Sequence, residues 1–269
     1  MKRKFFAYPY IVWMILFIAV PMVFIFYYAF IVNGVWTAEK FLDTLKNVTY
    51  WRTLLRSILI ALATTAICLL LGYPIAYILS NMKKSVAGFI SILFFVPMWM
   101  NFVLRTYSWY AILEYALPKM FGIKPMTGTL GAVLLVLIYD FLPFMVLPLY
   151  NTLSKLDKSL LEASRDLGAN SVTTFFRVVL PLSVPGIVSG ITMVFVPAIT
   201  AFTVPVLIGN DNYQLYGNEI EQQFIHTNAA SGTDFSVGST LSLILLVCVM
   251  ISTLIMNHFD KDKEGGSIL

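Results

Sequence analysis

Charged side chains are scarce in this sequence. Asp, Glu, Lys and Arg together make up 12% of the 269 residues, about half the share found in a soluble globular domain. So little charge excludes a chain that covers itself with water-facing groups, and with 59% hydrophobic residues the implied solvent is lipid. The formal charge of +4 gives no ground for a nucleic-acid partner, because the lysines and arginines cluster at the ends of apolar segments. Cysteine and histidine are rarer still: Cys68, Cys248, His226 and His258 are all there are. The cysteines lie in separate apolar runs and the histidines are isolated, so no ligand-spaced cluster exists and no metal site is expected. The sequence also lacks a GxxxxGK[ST] phosphate loop, and with it that means of binding ATP. An intramembrane enzyme would need several polar or metal-binding side chains converging at membrane depth, which this chain does not offer.

What the sequence has in abundance is long apolar runs. A transmembrane helix needs about 20 mostly apolar residues, and six segments qualify: 7–32, 57–80, 86–112, 129–151, 184–208 and 237–257. Together they predict an all-α polytopic membrane protein, one transmembrane domain over 1–269. The first run follows Lys2, Arg3 and Lys4 but is far longer than the roughly 7–15 apolar residues of a signal core, so it reads as a retained helix. Eleven of the eighteen Lys and Arg residues fall on the side of the two termini, the 82–85 turn and the 152–183 loop; seven fall on the other. By the positive-inside rule both termini and the 152–183 loop are cytoplasmic. Pro74, Pro97, Pro143, Pro148, Pro197 and Pro205 recur at membrane depth, where each removes a helix hydrogen bond and is expected to bend its span.

One polar stretch interrupts the apolar runs. In "LDKSLLEASRDLGANSVTTFFRVVLP", ending at Pro181, Asp157 is placed to cap a helix. Leu160 and Leu167 share a face, and Glu162 can pair with Arg165 three residues on. Gly168 follows at the position where helices end in a left-handed residue. Asn170 or Ser171 can then cap a second helix, which Pro181 closes. The expected object is a rigid elbow of two short helices beneath the bilayer.

This stretch resembles the EAA loop of ABC-importer permeases, a pattern of Glu-Ala-Ala, three residues, Gly, then a gap to an apolar-x-Leu-Pro end. Glu162, Ala163, Ser164, Gly168, Val178, Leu180 and Pro181 occupy it here, with Ser164 in place of the second alanine and Val178 in place of the usual isoleucine. The resemblance implies a type I importer-permease fold whose coupling helix docks on a cytoplasmic ATPase through Glu162, Ala163, Ser164, Asp166, Gly168 and Ala169. "LGYPIAY", "VPMWMNFVLRTY", "LPFMVLPLY", "VPGI" and "YGNEIEQQF" narrow the likeness to permeases of spermidine/putrescine importers, on the PotB-type rather than the PotC-type side. It spans roughly residues 55–230. It implies a prokaryotic inner-membrane heterodimer with a PotC-type permease, two ATPase subunits that bind the ATP and Mg, and an extracellular polyamine-binding protein. No cofactor is expected in this chain. An importer of the same architecture for a different small organic solute would carry the same loop.

Polyamines are flexible polycations that favour aromatic faces and separated carboxylates. Trp99, Asn101, Tyr107 and Trp109 in the third apolar run are therefore candidate pathway residues, Trp99 also by resemblance; Trp109 equally suits an anchor at the membrane interface. Asp140 lies deep in the fourth run, where an ionised carboxylate costs roughly 2.5–3.5 kcal/mol on insertion scales. It is open to three roles: a polyamine contact, a partner for Arg105, or a protonated hydrogen-bonding group. Arg105 is expected to snorkel to the outer interface or to pair with a carboxylate such as Glu114. The outer loop 209–236 carries Asp211, Glu219, Glu221 and Asp234 and no Lys or Arg, a vestibule that would attract cations and a candidate docking surface for a binding protein.

Overall fold

A computed structural model describes residues 7–32, 34–210, 212–225 and 235–264. Lys2, Arg3, Lys4, Asp211, His226 and Asp234 lie outside the described residues. Helix α1 runs over Ala7–Met14, a π turn Ile15–Ala19, and Val20–Phe30. A two-residue hairpin, β1 (Ile31–Val32) with β2 (Val35–Trp36), leads to a short amphipathic helix, α2 (Glu39–Lys46). The second span, α3 (Val48–Asn81), is 34 residues long, about 50 Å at ~1.5 Å per residue. It begins nine residues before the expected 57, because Asn47 caps it by accepting from the Thr49 N–H. The fourth span, α6 (Leu130–Leu153), starts at a cap on Thr129 that accepts from the Ala132 N–H. The last, α12 (Ser236–Glu264), packs on α1.

The third and fifth runs, where bends at proline were expected, are each divided. The third divides into α4 (Lys84–Phe95), a 3-10 turn Val96–Trp99, and α5 (Phe102–Ala111), which continues through a π turn Ile112–Ala116 into Leu117–Phe121. Its halves Lys84–Trp99 and Phe102–Phe121 meet at 88°. The fifth divides into α9 (Val184–Ile199) and α10 (Thr203–Gly209). Among the described residues four helices are long and apolar enough to cross a membrane, or six if two bent pairs, Lys84–Trp99 with Phe102–Phe121 and Ser171–Leu182 with Val184–Ile199, each count as one span. Proline alone does not place the breaks. Pro74, Pro143 and Pro148 lie inside uninterrupted helices. Pro97 and Pro197 each precede a break.

The core lies where α3, α6 and α9 pack against one another. Lipid tails are as apolar as leucine, so close van der Waals fit rather than water exclusion holds such helices together. Gly186 and Gly190, four apart on α9, supply that fit. A Cβ on Gly186 would come within 2.6 Å of Thr152 Oγ1, and one on Gly190 within 2.6 Å of Met145 Sδ. Leu137, Met145 and Leu149 of α6 are fully buried in the same interface.

Candidate functional site

The polar stretch folds into the expected elbow. Its arms are α7 (Lys158–Asp166) and α8, which runs Ser171–Thr174, through a π turn Phe175–Val179, to Leu180–Leu182. Asp157 caps α7 by accepting from the Ser159 N–H at 2.9 Å, and this hydrogen bond holds its carboxyl below the usual carboxylate range. Gly168 has φ +83°, which only glycine adopts cheaply. Its N–H donates to the Arg165 carbonyl and the Ala169 N–H to the Ser164 carbonyl, at 2.8 and 3.1 Å; these two bonds define a Schellman motif and end the helix. Of the two candidates to cap the second arm, Asn170 does so, accepting from the Thr173 N–H at 2.8 Å. A Ser164–Thr174 hydroxyl pair at 3.0 Å braces the arms, a bond that alanine at position 164 could not make.

Three details differ from expectation. Pro181 does not close α8, which runs on to Leu182, since the first turn of a helical segment tolerates proline. Glu162 and Arg165 form no ion pair among the described residues, and both are exposed. Leu160 and Leu167 are not packed down; Leu167 is 89% exposed, while Leu161 alone of the three turns inward. The elbow therefore shows solvent an apolar tip, together with exposed Glu162, Ala163, Asp166 and Gly168 and half-buried Ala169. Between its arms lies a concavity of about 750 Å³ lined by Ala163, Leu167, Gly168 and Arg177 among others.

The elbow is joined to the core at Ser183, where Ser171–Leu182 and Val184–Ile199 meet at 62°. The Tyr73 hydroxyl of α3 lies 2.8 Å from Ser183 Oγ, buried. Phe175 of α8 meets the Tyr73 and Tyr77 rings edge-on at 5.6 and 5.7 Å. This linkage escaped the sequence reading; two tyrosines one helical turn apart, opposite an aromatic pair, were the only signal for it.

The second candidate region is the break in the third span. Asn101 forms it by capping α5, its Oδ1 accepting from the Val103 and Leu104 N–H groups. Trp99, immediately before the break, is 82% exposed, and Tyr107 is 52% exposed. Trp109 turns the other way and packs edge-on against Tyr139 of α6 at 5.1 Å. The candidate pathway residues are thus split between two faces. Asp140 belongs with the inward set: it is 1% exposed, with Oδ1 2.7 Å from Arg105 Nε. That contact is ionic and not aligned as a hydrogen bond, so neither carboxylate oxygen receives one. Of the three roles open to Asp140, the structure forms the pair with Arg105.

Arg105 does not snorkel outward and does not pair with Glu114, which accepts from the Thr127 hydroxyl instead. It is 7% exposed, and its Nη1 donates to the Pro97 carbonyl at 3.0 Å. The guanidinium stands 5.6 Å from the Phe102 ring centre and 5.9 Å from that of Tyr139. A cavity of about 250 Å³ lies beside it, lined by Pro97, Met98, Tyr139 and Pro143 among others. Two charges at membrane depth satisfy each other far better than either would alone. In the 209–236 loop, the described acids Glu219 and Glu221 lie on α11 (Tyr216–Ile225); burial pushes the Glu219 carboxyl up.

Broken spans around a glycine-packed core, with a capped polar elbow at one end, describe a transport permease rather than an enzyme or a closed helical bundle. Residues 69–265 match the family described as the binding-protein-dependent transport system inner membrane component, and the chain belongs to that family. It is 34% identical over 265 residues to the spermidine/putrescine transport system permease protein PotB of Escherichia coli (strain K12), covering 90% of this chain and 92% of that protein. It is also 34% identical to the protein of the same name from Haemophilus influenzae, covering 88% of each. Among solved structures it shares the fold of a bacterial ABC transporter involved in import of the acidic polysaccharide alginate, with TM-score 0.70, 15% identity and 97% of both chains covered. The MetNI methionine ABC transporter superposes at TM-score 0.58 and 17% identity, over 78% of this chain and 94% of that one. The chain is a multi-pass component of an inner-membrane transport system.

Proposed function

We propose that this chain is the PotB-type permease of an ATP-driven polyamine importer, paired with a PotC-type permease. Two cytoplasmic ATPase subunits bind ATP and Mg, and an extracellular binding protein delivers spermidine or putrescine. Both termini and the elbow lie in the cytoplasm. The observation that carries the reading is the elbow itself: a short, capped helix pair whose leucine tip stands exposed among the described residues. Such a tip suits a hydrophobic groove on a second protein, and the internal bonding of the elbow lets it move as a unit. Glu162, Ala163, Ser164, Asp166, Gly168 and Ala169 make the ATPase contact in this reading. Polyamine as substrate draws on the names of the relatives and on exposed Trp99, Asn101 and Tyr107 at a break in the membrane, where aromatic faces suit a flexible cation. Trp109, packed on Tyr139, supports the path from behind.

Purification of the complex from membranes tests the reading. The expected companions are a second permease and an ATPase, and spermidine or putrescine with the binding protein should stimulate both ATP hydrolysis and uptake. Stimulation by another solute class and not by polyamines would overturn the substrate. Trp99→Ala should raise the half-saturating polyamine concentration with little loss of assembled complex, because an 82% exposed side chain contributes little packing within the chain.

A further inference from the structure

The proposed pathway leaves unexplained why a cation importer keeps a buried arginine beside its broken span. Two hydrogen bonds and an ion pair converge on Arg105. Its backbone N–H donates to the Asn101 carbonyl at 3.0 Å, closing the first turn of α5. Its Nη1 donates across the break to the Pro97 carbonyl at 3.0 Å, which also accepts the Met100 N–H at 3.3 Å. Its Nε meets the Asp140 carboxylate of α6 at 2.7 Å. One side chain therefore ties together the segment before the break, the segment after it and the neighbouring span. Trp99 and Asn101 lie between the tied points.

We propose that Arg105 is a positioning residue that clasps the break in the third span and so sets where Trp99 and Asn101 face the pathway, with Asp140 as its counter-ion rather than a polyamine ligand. This deepens the importer reading and rests on it. Chemistry favours arginine for the task, since its planar fork presents donors in several directions at once, whereas a lysine ammonium on a single stem cannot hold the same two acceptors in the same geometry. A carboxylate already committed to a guanidinium is also a poor ligand for a passing ammonium, because binding the ammonium would strand the arginine. The face that receives the substrate then carries aromatic and amide groups, with the fixed charges neutralised behind it.

The test uses the complete reconstituted complex. Arg105→Met and Asp140→Leu, each leaving one charge unpaired, should lower the maximal uptake rate by about tenfold or more with the half-saturating spermidine concentration changed less than about threefold. The double variant Arg105→Met/Asp140→Leu should recover a large part of the loss. Arg105→Lys keeps the charge balance, so it guards against single variants that fail to assemble; it should assemble and still transport slowly. A substrate-independent readout is the rate of thiol labelling at Trp99→Cys, in a chain with Cys68→Ala and Cys248→Ala. That rate should change with Arg105→Lys even if the substrate proves not to be a polyamine. The proposal is overturned if Asp140→Asn raises half-saturation more than about tenfold at unchanged maximal rate, if the double variant is no better than its parents, or if Arg105→Lys matches the parent in both uptake and labelling.

Discussion

The polar elbow and the break in the third span are both bends between two helical segments, yet they are held in opposite ways. At the elbow the bonds that shape the bend between its two arms are short-range. Asp157 binds Ser159, Asn170 binds Thr173, Gly168 and Ala169 bind back to Arg165 and Ser164, and Ser164 meets Thr174 ten residues on. At the break, Asn101 supplies a local cap, but Arg105 reaches Asp140, 35 positions away in sequence and on a different helix. The elbow faces water, where a missing bond is replaced by solvent. At the break Arg105 and Asp140 are buried, where it is not. A bend in water can thus be built from caps, while a bend in the membrane needs a partner from elsewhere in the fold.

If that contrast is right, the largest stability effect should follow from stranding a charge at the break. Arg105→Met leaves Asp140 buried and unpaired, and should cost on the order of 3–5 kcal/mol, read as loss of the folded chain from detergent extracts on heating. An equally large effect from Arg177→Met at the elbow would erase the distinction. Next, Gly168→Val places a β-branched residue at φ +83°, with a local cost of roughly 1–2 kcal/mol. The chain should remain in the membrane while uptake is lost, checked by membrane fractionation beside an uptake assay.

Tyr73→Phe sharpens the link between the two regions. It removes the bond to Ser183 Oγ, which still donates to the Leu180 carbonyl, so the stability cost should be only about 1 kcal/mol. If the elbow drives α3 through this joint, uptake per ATP hydrolysed should fall severalfold while hydrolysis persists; an unchanged ratio would remove Tyr73 from the linkage.

The smallest effect concerns the Asp157 cap. Its carboxyl is held below the ordinary range by the Ser159 N–H, so its contribution is complete above the ordinary carboxylate pKa and is lost as pH falls through the lowered folded-state value. Asparagine caps comparably well without titrating. Asp157→Asn should therefore leave hydrogen-exchange protection in the first turn of α7 intact at neutral pH and abolish its acid dependence.

Legibility followed the range of the interactions. The elbow could be read almost residue by residue from Asp157 to Asn170, because each cap is satisfied within a few positions of its own residue. Exposure of Leu160 and Leu167 was not legible, since periodicity identifies an apolar face without saying what covers it. Hydropathy counts apolar residues and is blind to the 88° turn among those of the third run, so it located the runs without their breaks. Six prolines offered six possible bends, and the helix continues through Pro74, Pro143 and Pro148.

By itself the sequence determined the solvent, the number of apolar runs and the local architecture of the elbow, because each depends on composition or on contacts a few residues apart. Which faces of the third run turn outward, which joint ties the elbow to α3, and which group Asp140 meets were decided only by the tertiary structure. The physical reason is range: Arg105 and Asp140 meet from different helices, 35 positions apart, and no local pattern encodes that meeting.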